Sequence, residues 1–116
     1  MGIRDSLLKK RQPVERDVGA DEPVFIKVFS GKDRAHYVSM NEEFQNQKDE
    51  TGKTGQKSNA LIVAMSVVNK DGSPVFSENE LDEILTIDGT IIDSIVSASL
   101  DVNGLSENSQ GDIEKN

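Results

Sequence analysis

The chain has no cysteine and no tryptophan, one tyrosine, one histidine and three prolines in 116 residues. Without cysteine there is no disulfide framework, no thiolate zinc site and no Cys nucleophile. Aromatic residues make up only 4%, too few for a surface on which bases stack. The longest apolar stretch, Ala60 to Val68, falls well short of the ~20 residues of a membrane-spanning helix. The N-terminus lacks the apolar centre of a signal peptide, so the chain reads as a soluble, intracellular protein. What it does contain is enough for one modest core. Leu, Ile, Val and Phe supply about 27% of the residues, above the ~20% level below which a charged chain stays disordered. One domain is expected.

The formal net charge is −8, and it is unevenly placed. Residues 1–34 carry a small basic excess, residues 35–70 balance, and residues 71–116 hold eleven acidic side chains against the single base Lys115. An acidic half repels nucleic acid and anionic lipid and attracts a basic partner.

Periodicity gives the elements. Residues 3–11 (IRDSLLKKR) form a short helix with Ile3, Leu7 and Leu8 on one face, and Pro13 ends it. Residues 12–22 read as a linker with a possible irregular strand. Pro23 to Phe29 alternates as a strand, with Val24, Ile26 and Val28 on one face. Ser30 caps a helix over 32–45, with Asp33 as the reciprocal acid. Residues 46–57 hold no apolar side chain and read as a mobile loop. Ser58 caps a buried helix over Ala60 to Val68, and Asp71-Gly72 makes a tight turn before a very short strand at Val75-Phe76. Ser77-Glu78-Asn79-Glu80 is a capping box ahead of Leu81, Ile84 and Leu85. After a break at Asp88-Gly89, Ile91, Ile95, Ala98 and Val102 share a helical face, widened by Ile92, Val96 and Leu100. Gly104 stands where a left-handed C-cap belongs. The expected fold is helix-dominated α+β: a short N-terminal helix or arm and a small β element packed against about four helices. The expected organisation is an arm and linker over 1–22, one globular domain over 23–105, and a polar tail over 106–116.

Reactive constellations are scarce. Gly52-Lys53-Thr54 has the ending of a phosphate loop, but position 47 is Gln where that pattern needs glycine. His36 has no partner that spacing can identify. Asp101-Val-Asn-Gly104 sets its glycine two places too early for a calcium loop. Glu80 and Glu83 stand at a helix start, where the dipole attracts acids for structural reasons. Met1-Gly2-Ile-Arg-Asp-Ser6 matches the short myristoylation pattern with Lys9, Lys10 and Arg11 behind it, and an amphipathic start helix explains the same residues. No catalytic, metal or cofactor site is expected.

Taken together, the strand VFIKVFSG, the helix opening Gly-Lys-Asp-Arg-Ala, the buried NALIVAMSVVNKDG, the turn-and-cap Pro-Val-Phe-Ser-Glu-Asn-Glu-Leu and the close Asn-Gly-Leu-Ser-Glu-Asn resemble the tail assembly chaperones of long-tailed bacteriophages, the group that includes the minor tail protein G of phage lambda. The likeness runs over about residues 3–109. The resemblance implies a non-enzymatic protein of the bacterial host cytoplasm, absent from the mature virion. Such a protein keeps the tape measure protein soluble and passes it to tail tube protein. Many members are also made in a longer, frameshifted form that recruits the tube. Glu114-Lys115-Asn116 can be encoded by a slippery run A AAA AAY, which a GAG or AAG codon would abolish. On this reading Ile3, Leu7, Leu8, Ile92 and Val96 would cover an amphipathic helix of the tape measure. Copies would form homo-oligomers, with Lys9, Lys10 and Arg11 of one meeting Glu80 and Glu83 of another. Two alternatives stand beside it: a small acidic inhibitor that mimics nucleic-acid charge, and a structural head–tail connector.

Overall fold

The computed structural model describes residues 2–46 and 54–105. Helix α1 (Ile3–Leu8) leads to β1 (Val14–Arg16), β2 (Val24–Ile26) and α2 (Gly31–Asn46). Helix α3 (Thr54–Ser66) runs straight into β3 (Val67–Val68). A 3-10 turn at Glu78–Glu80 opens the single-turn α4 (Leu81–Ile84), and α5 (Gly89–Val102) closes the body. The described residues thus form a helix-dominated α+β fold with one three-stranded antiparallel sheet.

The sheet has the order β1–β2–β3. Val14 pairs with Ile26 and Arg16 with Val24; on the other side of β2, Phe25 pairs with Val68 and Ile26 with Val67. Ile26 is therefore central, and it is fully buried. The segment 12–22, read as a linker, contributes β1 and the buried Val18 to this body. Between the two strands Asp17 Oδ1 accepts the Gly19 N–H at 3.0 Å, with Gly19 at φ +88. This is a side-chain-closed turn of the kind Asp favours, and it hides Val18.

Three other expectations are corrected. Helix α3 begins at Thr54, so residues 54–57 of the expected loop are helical and Ser58 lies inside the helix, not at its cap. Residues 47–53 lie outside the described residues, as does the expected polar tail at 106–116. At the other end the helix stops at Ser66, and Val67-Val68 turn into β3. The Ser66 carbonyl, which would otherwise be an orphan at the helix end, accepts the Lys27 N–H at 2.8 Å. The β-branched pair then suits the sheet edge. Val75-Phe76 forms no strand; Pro74 makes an isolated bridge to Val68. The turn itself forms as expected: Gly72 takes φ +92 and donates to the Asn69 carbonyl at 2.8 Å.

The core joins Ile26 and Val18 to Ala60, Val63 and Ala64 of α3, Val67 of β3, Ile84 of α4, and Ile92 and Ile95 of α5. On α5 the buried residues are Ile92, Ile95 and Ser99. The buried stripe is therefore rotated from the expected Ile91–Ile95–Ala98–Val102 face, because Ser99 faces inward. Its hydroxyl is 2.5 Å from that of Ser66, so each buried hydroxyl satisfies the other.

Candidate functional site

Two surfaces stand out, and both are built by local rules. The first is the arm. Helix α1 buries none of its residues. Its apolar side chains are exposed: Ile3 75%, Leu7 74% and Leu8 66%. Six residues of isolated helix gain little from hydrogen bonding alone. The expected helix over 3–11 ends at Leu8, and Lys9 is already extended. Lys9, Lys10 and Arg11 are exposed and make no ion pair with any described residue. They line a shallow cleft together with Lys27, Phe29 and Gly31 at the start of α2.

The second surface is the acidic corner at the 3-10 turn and α4. The capping box closes as the sequence predicts: the Ser77 N–H donates to Glu80 Oε1 at 2.8 Å. Glu80 is half-buried and Glu83 exposed. His36 Nε2 lies 2.6 Å from Glu78 Oε1, which ties α2 to this corner. Val75, three residues before Glu78, is 45% exposed.

The acids of the C-terminal half are held in turns and caps. The Ser77 N–H and hydroxyl keep the Glu80 carboxyl below its ordinary 4.5. Asp71 lies below 3.8 because the Ser73 hydroxyl and N–H bond to it. Asp88, the N-cap of α5, is lowered by the Thr90 hydroxyl and N–H, at 2.6 Å and 2.8 Å. At the start of α2, burial pushes Asp33 upward. The Ser30 N–H and the Lys27 ammonium, at 3.1 Å, outweigh that and hold it below 3.8. A carboxylate with a depressed folded pKa stabilises the fold above its unfolded value and loses that contribution as pH falls through the folded one. The expected result is a stability plateau above about pH 5 and a decline that begins as pH drops below about 4, where these unfolded-state carboxylates protonate. Urea unfolding followed by circular dichroism across pH 2.5 to 6 checks it. An unfolding midpoint as high at pH 3 as at pH 6 would contradict it.

The expected partner contacts divide. Ile3, Leu7 and Leu8 are available. Ile92 is buried at 7% exposure, and Val96 is half-buried against the same core cluster, so both contribute to holding the body together. Among the described residues the arm's bases and the corner's acids form no ion pair with each other. Among the described residues no group of three or more His, Asp or Glu side chains is placed to hold a metal ion. None of the helices among them is long and apolar enough to cross a membrane.

The residue that sequence reasoning missed is Asn103. It is buried at the C-cap of α5. Its Oδ1 accepts the Phe29 N–H at 2.7 Å. Its Nδ2 donates to the Lys27 carbonyl at 3.2 Å and to the Ser99 carbonyl at 3.1 Å. Its own carbonyl accepts from Arg34 Nη2. One residue thus joins the segment between β2 and α2, through its side chain, and Arg34 of α2, through its carbonyl, to the end of α5. The available signal was Asn before Gly, which marks only a helix end.

Comparison with protein-family models, with curated proteins and with solved structures finds no match to this chain.

Proposed function

We propose that this protein is a tail assembly chaperone of a long-tailed bacteriophage: it covers the tape measure protein, keeps it soluble and presents it to tail tube protein. The observation that carries the reading is the arm. Three large apolar side chains are exposed on a short helix none of whose residues is buried, directly before a basic triplet. An exposed apolar set on a small soluble body is a protein-contact feature. A helix-in-groove partner supplies the complementary stripe. The acidic body keeps the complex in solution. The inhibitor reading draws less support, because Asp71, Glu80 and Asp88 are each fixed by a turn or cap and do not form a phosphate-like row.

Self-association follows from the unpaired charges. Lys9, Lys10 and Arg11 of one copy have the acidic corner with Glu80 and Glu83 of another as their complement. Attraction between exposed charges weakens as salt shortens the screening length from ~10 Å at 0.1 M to ~3 Å at 1 M. Oligomers are expected at low salt and smaller species at high salt. Light scattering after size exclusion reads this, and an unchanged mass across the series would remove the charge contribution.

The direct test is co-expression with a tape measure protein, scored for its soluble fraction. The wild-type chain is expected to raise that fraction. Leu7→Ser with Leu8→Ser should abolish the effect and leave the body's unfolding free energy unchanged to within about 0.5 kcal/mol, as for exposed surface sites. Equal rescue by the double variant would overturn the role of the arm. No rescue by the wild type would overturn the function.

A further inference from the structure

We infer that α2 is a displaceable cover and that the face of α3 beneath it is a second docking surface, fitted to an amphipathic helix of the partner. This inference rests on the chaperone reading and deepens it.

Helix α3 is apolar on two opposite sides. At 100° per residue, Ala60, Val63 and Ala64 form one stripe, and these are its members in the central core. Leu61 and Ile62 are also buried, at 0% and 3% exposure, but lie outside that cluster. With the half-buried Met65 they fall on the opposite side. Helix α2 packs against α3, and its own buried residue Phe44 is likewise outside the central cluster. The geometry therefore assigns Phe44, Leu61 and Ile62 to the α2–α3 contact.

The cover is poorly matched to what it covers. The inward face of α2 carries Tyr37, Met40, Asn41 and Phe44, and of these only Phe44 is buried. Asn41 Oδ1 is buried with no hydrogen-bond partner among the described residues. An orphan acceptor of this kind opposes closure. Few buried apolar contacts mark a segment that opens locally. The tethers described above all fall at the beginning of α2: the Ser30–Asp33 box, Lys27 to Asp33, Arg34 to the Asn103 carbonyl, and His36 to Glu78. Among the described residues the bonds given for α2 thus pin its first turns, and Phe44 packs at its other end. An incoming helix with apolar residues at i, i+3, i+4 and i+7 presents a fuller stripe to Leu61 and Ile62 than α2 does. It carries no orphan amide. Helix α2 already shows that a helix fits this face.

Hydrogen exchange and one peptide test this. In the free full-length chain, amides of α2 from Ser39 to Phe44 should exchange through a lower opening free energy than those of α5 from Ile95 to Leu100. Equal protection overturns the inference. Asn41→Leu removes the orphan acceptor and should slow α2 exchange about tenfold. Apparent affinity scales with the open fraction. The same variant should therefore weaken binding of a synthetic Leu-striped, Lys/Glu-faced helical peptide by a similar factor. Phe44→Ala should strengthen it, provided circular dichroism shows the fold retained. Equal peptide affinity for wild type and Asn41→Leu overturns the α3 site. So does binding lost only in the Leu7→Ser/Leu8→Ser arm variant, which leaves the chaperone reading intact. Failure of tape measure rescue with these exchange and peptide results in place overturns the chaperone reading alone.

Discussion

Asn103→Ala is expected to lower the unfolding free energy by about 3 kcal/mol, with two buried or part-buried backbone groups left unpaired at about 1–3 kcal/mol each. The Phe29 N–H loses the 2.7 Å bond to Oδ1, and the Lys27 carbonyl loses the bond to Nδ2. The Ser99 carbonyl loses a bond too, but it still accepts the Asn103 backbone N–H at 3.0 Å. Truncation does not disturb the helix end itself. There Leu105 N–H bonds to the Leu100 carbonyl at 2.7 Å and Gly104 N–H to the Asp101 carbonyl at 3.3 Å, the paired pattern of a Schellman close with Gly104 at φ +67. The loss therefore reads the cross-links from α5 to β2. Asn103→Asp separates the two halves of the side chain: it keeps the acceptor for Phe29 and cannot donate when ionised. Urea unfolding of both variants is the measurement. A change under about 0.5 kcal/mol for Asn103→Ala, the level of an ordinary surface site, would mean that the network has no stabilising role.

Ile84→Ala is expected to cost a comparable amount, about 3 kcal/mol within the 2–5 kcal/mol range of buried Ile truncations. Ile84 has 0% exposure and is the one buried residue of α4, a helix of four residues. One helical turn has no cooperative stability of its own. The capping box at Ser77 and Glu80 sets its direction, and Ile84 anchors it to Ile26, Val63 and Ile95 in the same cluster. Removing the anchor should loosen the acidic corner before the sheet is affected. Hydrogen exchange should show lost protection first at residues 81–87, beyond the drop in global stability. Leu85→Ala, at a half-buried neighbouring position, should cost visibly less. Equal costs at both sites would show that the corner is held by general burial and not by Ile84.

Two helix starts were legible because capping is a local matter, whereas the start of α3 at Thr54 was not. Ser30 with Asp33 and Ser77 with Glu80 form their boxes within four residues of chain, and the geometry follows the sequence spacing. Asp71-Gly72 and Gly104 were legible for the same reason, since a left-handed backbone position has few competent residues. The apolar arm was legible as a helix with one greasy face. That nothing in the described body covers it was not, because exposure depends on where the rest of the chain goes. Ile92 and Val96 were expected to contact a partner; Ile92 is buried and Val96 half-buried against the core cluster. A seven-residue apolar spread on α5 has several possible inward directions, and the Ser66–Ser99 hydroxyl pair selects one.

By itself, then, the order of residues determined the α+β class, the boxes at Ser30 and Ser77, the turns at Gly72 and Gly104, the acidic C-terminal half and the apolar arm. Only the tertiary structure decided that Val14–Arg16 joins the sheet, that α3 ends in a strand, that Asn103 is a buried junction and that α2 lies over α3 with an unpaired amide. The bonds of Ser66, Arg34 and Asn103 reach partners 33, 69 and 76 residues away, and a local pattern carries no record of which distant group will arrive.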